Sequence, residues 1–146
     1  MASVVVERSA DRLRQALDQE VQAIARAMEP VLRPLQGETL LVTGGAGFVC
    51  SYFVDTVAHL NREWARPCQV ICVDNLITGQ ASRLAHLHNR SDIRVMQHDL
   101  SQPLHLEGAV RWMVHGAGIA SPSTYRKYPL ETIAVNVHGT EHVLEL

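Results

Sequence analysis

A glycine cluster between two apolar segments constrains this chain more than any other feature. The stretch TLLVTGGAGFVC, residues 39–50, joins a short apolar run to an apolar-periodic segment that begins at Phe48. Gly44 and Gly47 stand three residues apart, and the third glycine of the pattern is replaced by Cys50. This order predicts a strand, a tight turn and a helix whose free N–H groups face an anion. A glycine pattern alone does not establish such a site, so its context must decide.

Short apolar runs alternate with helical patterns in the rest of the chain. Runs rich in Val, Ile, Leu and Met, as expected for strands covered on both faces, occupy 39–43, 69–74, 93–97 and 111–115. Helical patterns occupy 48–60, 81–87 and 130–146. Alternation of this kind predicts an α/β fold with a parallel sheet and right-handed crossovers. We expect a partial, doubly wound Rossmann-type sheet of about four strands in the order 3-2-1-4.

An extra N-terminal helix and a linker precede this pattern, over residues 1–36. Residues 9–28 predict the helix because one apolar stripe recurs every three or four positions, at Leu13, Leu17, Val21, Ile24 and Met28. Ser9 is the expected N-cap, and Pro30 and Pro34 are expected to end the helix. We expect the stripe to pack on the main domain; a contact with a partner chain is the alternative.

Composition and charge argue against several classes of function. Apolar residues make up 47% of the chain and charged residues 19%, as in soluble globular proteins. The net charge of −2 gives no basic excess for nucleic acid or a membrane surface. Three cysteines without a CxxC pair suit a reducing cytosol, so we expect a cytoplasmic protein with inert thiols at Cys68 and Cys72. His115, His138 and His142 lack a completing carboxylate, so no metal site is expected.

The residues that would hold a dinucleotide follow from the chemistry of the turn. Gly44 and Gly45 allow the turn, and Gly47 opens the helix. Cys50 is small and readily buried, so it could replace the third glycine with a slightly wider helix–sheet spacing. Asp74, at the end of the second strand, would accept hydrogen bonds from the adenosine ribose and repel a 2′-phosphate, which favours NAD over NADP. The alternative is that Asp74 is only a strand-end turn residue.

Five segments resemble, in order, the extended short-chain dehydrogenase/reductases that modify nucleotide sugars. They are VTGGAGFV, VDNLITG, QHDLSQPL, VHGAGIASP and YPLETIAVNVHGTEHVLEL, within residues 38–146. The resemblance implies an NAD-binding Rossmann domain over 37–146 and pairing of its last helix with the same helix of a second subunit. The cofactor contacts that it implies are Gly44, Gly45, Ala46, Gly47, Phe48, Val49, Asp74, Asn75, Asp99, Leu100, Gly116, Ala117, Gly118 and Asn136.

One loop looks most like that of UDP-glucuronate decarboxylases. It is ASPSTYRKYP, residues 120–129, and the resemblance implies that Ser121 and Tyr125 contact a UDP-sugar substrate. The alternative is that Pro122 and Pro129 only shape the loop and Tyr125 packs on it. Nucleotide-sugar 4-epimerases and 4,6-dehydratases share the other segments, so they remain alternative activities.

The family's catalytic YxxxK motif does not occur in this sequence. The residues four positions after the three tyrosines are Thr56, Pro129 and Thr132. The sequence therefore offers no catalytic residue, and we expect the cofactor half of an enzyme without its C-terminal substrate lobe. The alternative is a non-catalytic module that binds a dinucleotide or a partner chain.

Overall fold

The secondary structure follows the predicted alternation. The computed structural model describes the backbone of residues 2–146 and the side chains of residue 12 and residues 14–146. Its elements are α1 (Ala2–Leu32), β1 (Thr39–Thr43), α2 (Phe48–Leu60), β2 (Gln69–Asp74), β3 (Ile93–Gln97), β4 (Trp112–His115), α3 (Pro122–Lys127) and α4 (Pro129–Leu144). No helix within these residues is long and apolar enough to cross a membrane.

The four strands form one parallel sheet in the order β3-β2-β1-β4. Leu41 of β1 lies opposite Ile71 of β2 on one side and Met113 of β4 on the other. The predicted fold class and strand order are therefore confirmed. The chain moves outward from β1 through β2 to β3 and then crosses to the opposite side of β1. This reversal creates a switch point between β1 and β4, where open α/β sheets bind ligands beyond the carboxyl ends of their strands.

Two apolar clusters cover the two faces of the sheet. One lies under α1 and α2 and includes Ala25, Leu40 and Val57. The other lies under α4 and includes Leu41 and Val135. The sheet is therefore wound on both sides, as a parallel sheet requires. The edge strand β4 differs from the prediction of a strand covered on both faces, because Trp112 remains 42% exposed.

The N-terminal helix is longer than predicted and buries a different face. Ser9 is not an N-cap, because the helix already begins at Ala2, and Pro30 lies inside its last turn. Of the predicted stripe, Val21 is buried whereas Leu17, Ile24 and Met28 are each more than a third exposed; the side chain of Leu13 lies outside the described residues. The buried face centres on Ala25, whose small side chain allows α1 to approach α2 closely.

Two further segments correct the sequence prediction. The helix expected over 81–87 is replaced by two 3₁₀ turns, Ala81–Arg83 and Ala85–Leu87, separated at Leu84. Conversely, a short helix, α3, forms in the loop expected to be irregular. Pro122 opens α3 and Pro129 opens α4, in the first-turn position where a missing N–H costs nothing.

A buried asparagine joins three segments at the amino edge of the sheet. The Asn61 amide, just after α2, donates to the Cys68 carbonyl at 2.8 Å and to the Asp92 carboxylate at 2.6 Å. Its carbonyl accepts the Cys68 N–H at 2.9 Å. Arg90 in turn forms a two-bond ion pair with Asp92. Both amide hydrogens and the carbonyl are thus satisfied, which a buried polar group requires.

Candidate dinucleotide-binding site

A cleft opens at the carboxyl edge of the sheet, at the switch point. Its larger part, of about 250 Å³, lies between the loop after β2 and the start of α4. A smaller part lies above the ends of β1, β2 and β4. The lining residues are Gly44, Val73, Asp74, Asn75, Ile77, Thr78, His98, Asp99, Leu100, Ser101, Gly116, Ala117, Gly118, Ile119, Leu130, Glu131, Ala134 and Val135.

The glycine turn, residues 44–47, requires glycine for two separate reasons. Gly44 has a φ of +67°, in the left-handed region, and a Cβ there would lie 2.5 Å from the Gly116 carbonyl oxygen. A Cβ at Gly45 would overlap the Cys72 sulfur. The Gly44 N–H donates to the Val73 carbonyl at 2.8 Å, which ties the turn to the end of β2. The turn therefore has no room for side chains where its backbone faces the cleft and the sheet.

The first turn of α2 leaves its N–H groups without a side-chain cap. Gly47 occupies the N-cap position and makes no side-chain hydrogen bond. The first backbone N–H groups of a helix have no partner within the helix and carry partial positive charge. Phe48 and Val49, predicted to contact the cofactor, have exposed apolar side chains. Because these side chains have no hydrogen-bond donor, only the backbone N–H groups of the two residues can bind an anion here.

The Cys50 thiol fits against the sheet because the residue opposite it, Gly116, has no side chain. A Cβ at Gly116 would overlap the Cys50 sulfur, so the thiol fills the space that a side chain at 116 would need. The slightly wider helix–sheet spacing stays a prediction; what the structure shows is that the absence of a side chain at Gly116 leaves room for the thiol. Burial, and secondarily the nearby Asp74 charge, raises the pKa of the Cys50 thiol. Both Cys68 and Cys72 are buried in the core, as predicted, and burial raises their pKa values to about 12; that they are inert stays a prediction.

The Asp74 carboxylate closes the turn against the loop after β2. One oxygen accepts the Ala46 N–H at 2.9 Å and the other accepts the Leu76 N–H at 2.8 Å. A Cβ at Gly79 would lie 2.7 Å from this carboxylate, so the loop also approaches closely. Each carboxylate oxygen can accept a further hydrogen bond. Asp74 is thus both the strand-end turn residue of the alternative interpretation and a lining residue of the cleft.

The other predicted site residues divide into two groups. Asn75, Asp99 and Leu100 line the cleft, as do residues 116–118. Asn136 stands behind that loop, because a Cβ at Gly118 would lie 3.0 Å from its side-chain oxygen. Neither Ser121 nor Tyr125 lines the cleft: Ser121 is the N-cap residue of α3 and bonds Ser123, and Tyr125 lies within α3 and is partly exposed.

Sequence reasoning missed several lining residues and one hydrogen-bonded histidine. Thr78 and His98 line the cleft, yet neither lies in a pattern that periodicity can identify. His115, considered only as a metal ligand, bonds Thr43 at 2.7 Å and Thr140 at 3.2 Å. Burial lowers the pKa of His115. Its position at the end of a predicted apolar strand was the available signal; its register with Thr43 is known only from the structure.

These residues fit a dinucleotide. The left-handed Gly44 makes the tight turn that leads into α2, and the uncapped end of α2 provides N–H donors for a pyrophosphate. Asp74 and Asp99 supply acceptors at the end of β2 and in the stretch after β3, where a ribose and an adenine would lie. Among the described residues, no group of three or more His, Cys, Asp or Glu side chains could hold a metal ion.

Comparison with known proteins agrees with this geometry. UDP-glucuronic acid decarboxylase 1 of Arabidopsis thaliana is 39% identical over 107 residues, which cover 73% of this chain and 23% of the relative. UDP-glucuronic acid decarboxylase 1 of Xenopus tropicalis is 29% identical over 147 residues, which cover 97% of this chain and 33% of the relative. The chain thus spans between 23% and 33% of the length of these relatives.

A solved structure and a family model give the same assignment. The dTDP-glucose 4,6-dehydratase of Streptomyces venezuelae, solved with NAD bound, superposes with a TM-score of 0.59 at 26% identity, over 73% of this chain and 34% of that one. The model of the NAD dependent epimerase/dehydratase family matches residues 40–146. The predictions of family and of NAD as its cofactor are therefore confirmed. With most of its length matched by that model, the chain belongs to the NAD dependent epimerase/dehydratase family.

Proposed function

We propose that this chain is the NAD-binding portion of an enzyme that modifies a nucleotide sugar, with UDP-glucuronate as its substrate. When bound, NAD supplies reversible hydride exchange with the sugar. The chain's own part is to bind and orient the dinucleotide. The glycine turn and the end of α2 would hold the pyrophosphate, and Asp74 would hold the adenosine ribose.

One observation carries this proposal: the backbone contact between Gly44 and the loop after β4. A side chain at Gly44 would strike the Gly116 carbonyl, so two backbone segments meet without side chains at the switch point. This contact closes the tight turn that directs the N–H groups of α2 at a pyrophosphate in the cleft. The same two glycines line the smaller part of the cleft.

The choice of UDP-glucuronate rests on the similarity to UDP-glucuronic acid decarboxylases and on the loop into α4. The larger part of the cleft is lined by Ile119, Leu130 and Glu131, which flank α3 in sequence. Ser121 and Tyr125 lie between these residues in sequence, and we propose that they contact a sugar nucleotide outside the part of the cleft that would hold the adenine. Tyr125 does not serve as the base in this proposal, because no lysine stands four residues after it.

We expect the chain to bind NAD more tightly than NADP in titration calorimetry. Asp74→Asn should weaken NAD binding by about tenfold, or about 1.4 kcal/mol, because it removes charge-assisted hydrogen bonds. The loss for NADP should be smaller, since the variant no longer repels a 2′-phosphate. Asp18→Asn, the same change on α1, is the matched control. Equal or tighter binding of NADP by the wild-type chain would contradict the role of Asp74.

A second arm of this experiment tests the substrate. UDP-glucuronate and, as a control, UDP-glucose are titrated into the NAD-loaded protein. We expect the glucuronate compound to bind more tightly, and Tyr125→Phe to weaken it. Indifference between the two sugars would leave NAD binding intact but overturn the choice of substrate.

We also propose that the chain forms a homodimer through α4. Val135, Gly139 and Val143 are buried on one side of this helix. The opposite side is apolar and exposed, with Leu130, Ile133, Val137 and Leu144 each about half exposed or more. An exposed apolar face of this kind marks an interface.

Sedimentation at micromolar concentration should therefore show a dimer, and Ile133→Glu should convert it to a monomer by placing a charge in the interface. Leu17→Glu makes a similar change on the exposed face of α1 and should leave the dimer intact. If Leu17→Glu, and not Ile133→Glu, dissociates the protein, the interface lies on α1.

A further inference from the structure

We propose that His115 is a positioning residue, which holds the cleft loop of residues 116–118 in place through Thr43 of β1 and Thr140 of α4. The inference rests on the proposed function, because the loop is taken to lie against the dinucleotide. His115 itself lines no part of the cleft.

A chain of four hydrogen bonds connects the loop to α4. The Ala117 N–H donates to the Thr43 hydroxyl oxygen at 3.2 Å, and this hydroxyl lies 2.7 Å from His115 Nδ1. His115 Nε2 lies 3.2 Å from the Thr140 hydroxyl, which donates to the Asn136 carbonyl at 2.6 Å.

Only one protonation state of the imidazole satisfies every group in this chain. The Thr140 hydroxyl proton is used on the Asn136 carbonyl, so Thr140 must accept from Nε2–H. A neutral ring that carries its proton on Nε2 has a bare Nδ1, which accepts the proton of the Thr43 hydroxyl. Thr43 then keeps a lone pair for the Ala117 N–H. The direction of all four bonds is thereby fixed.

The loop is held by hydrogen bonds at its first two residues, and its third residue lies against α4. The Gly116 N–H donates to the Thr43 carbonyl at 3.1 Å, and the Ala117 N–H to the Thr43 hydroxyl. Gly118 packs against the side chain of Asn136, one helical turn from Thr140. Without the imidazole, the Thr43 hydroxyl could rotate away from Ala117, and the lining of the cleft would lose its attachment to α4.

Protonation of His115 should have the same effect as its removal. An imidazolium has no acceptor for the Thr43 hydroxyl. Because burial lowers its pKa in the folded chain, the neutral ring stabilises the fold above its ordinary pKa, and this contribution is lost as the pH falls through the lowered pKa.

No titratable side chain other than His115 itself lies in β1, in β4 or in the cleft loop. On the packed helices, Cys50 lies beneath Gly116, His138 bonds Glu141, and His142 bonds the Leu100 carbonyl. A His115→Asn variant therefore isolates the contribution of His115 from that of the other histidines.

The test compares two threonines of α4 that make the same helix bond. Thr132 and Thr140 each donate to the carbonyl four residues earlier, but only Thr140 contacts His115. We expect Thr140→Val to weaken NAD binding about three- to tenfold, as the loss of one hydrogen bond does. Thr132→Val should stay within about twofold, and Thr140→Ser should restore the wild-type affinity. Equal losses in the two valine variants would overturn the proposal.

A second readout does not depend on the cofactor. Hydrogen exchange of the Ala117 amide should be faster in Thr140→Val than in Thr132→Val. When the pH is lowered so that His115 becomes protonated, exchange of this amide should accelerate more in the wild type than in His115→Asn. The ¹⁵N chemical shifts of the imidazole, measured by NMR, should show His115 with its proton on Nε2. If NAD fails to bind, the proposed function fails, and these measurements still decide the role of His115. A proton on Nδ1 or unchanged exchange at Ala117 would refute it.

Discussion

Gly44→Ala is expected to abolish detectable NAD binding and to lower the free energy of unfolding by about 2–5 kcal/mol. A non-glycine residue in the left-handed region costs about 1–2 kcal/mol. The new Cβ would also lie 2.5 Å from the Gly116 carbonyl oxygen and 2.7 Å from the Ala117 nitrogen, and both belong to backbone that cannot rotate away. Such overpacking costs about 1–3 kcal/mol more. Denaturant unfolding and calorimetry measure the two effects.

Gly108→Ala separates these two costs. Gly108 also has a positive φ, of +84°, but nothing lies within 4 Å of a Cβ built there. This variant should therefore lose only about 1–2 kcal/mol of stability and bind NAD as the wild type does. If the two alanine variants are equally destabilised, the contact between Gly44 and the loop after β4 does not constrain the turn.

The second large effect is a coupling between Cys50 and Gly116. Gly116→Ala alone should destabilise the protein by about 1–3 kcal/mol, because the methyl group overlaps the Cys50 sulfur. In a Cys50→Gly background the same change should cost much less, although the Thr43 carbonyl oxygen at 3.2 Å still crowds the methyl group. Neighbours that share a space show interaction energies of about 0.5–3 kcal/mol in such a cycle.

Urea unfolding of the four proteins gives the coupling directly. Gly118→Ala in the same loop is the control, because its Cβ would meet Asn136 and not Cys50. It should add to Cys50→Gly without interaction. Cys50→Gly alone should change NAD affinity by less than about threefold, since the thiol only fills space. Additive costs for Cys50 and Gly116 would show that the helix shifts to make room.

Local sequence patterns predicted most of the fold, because each strand and α2 can be recognised from the apolar residues and glycines within its own segment. The bounds of β1, β2, β3 and α2 agree with the apolar runs and the glycine cluster. The buried face of α1 was mispredicted because it depends on the shape of α2: Ala25 is buried for its small size, whereas the bulkier Ile24 is left exposed. Hydrophobicity alone does not contain that information.

The candidate site was predictable only where it lies in one segment. The glycine turn and Asp74 could be named from their spacing. The relation of Cys50 to Gly116, and of His115 to Thr140, joins residues far apart in sequence, and only the packing of β4 beside β1 reveals it. The helix α3 was missed although Pro122 stands in a first-turn position, because six residues are too few for periodicity to register.

The buried Asn61 has a consequence for the alignment of the sheet. Strands that are apolar on both faces contain little alternation, so a slip of one position costs them less than it costs an amphipathic strand. Asn61 bonds the residue before β2 and, through Asp92, the residue before β3. A slip of either strand would leave part of the buried Asn61 amide unpaired. The hydrogen bonds at the amino edge thus fix the register of β2 and β3. That register in turn determines where Asp74 and Asp99 lie at the carboxyl edge.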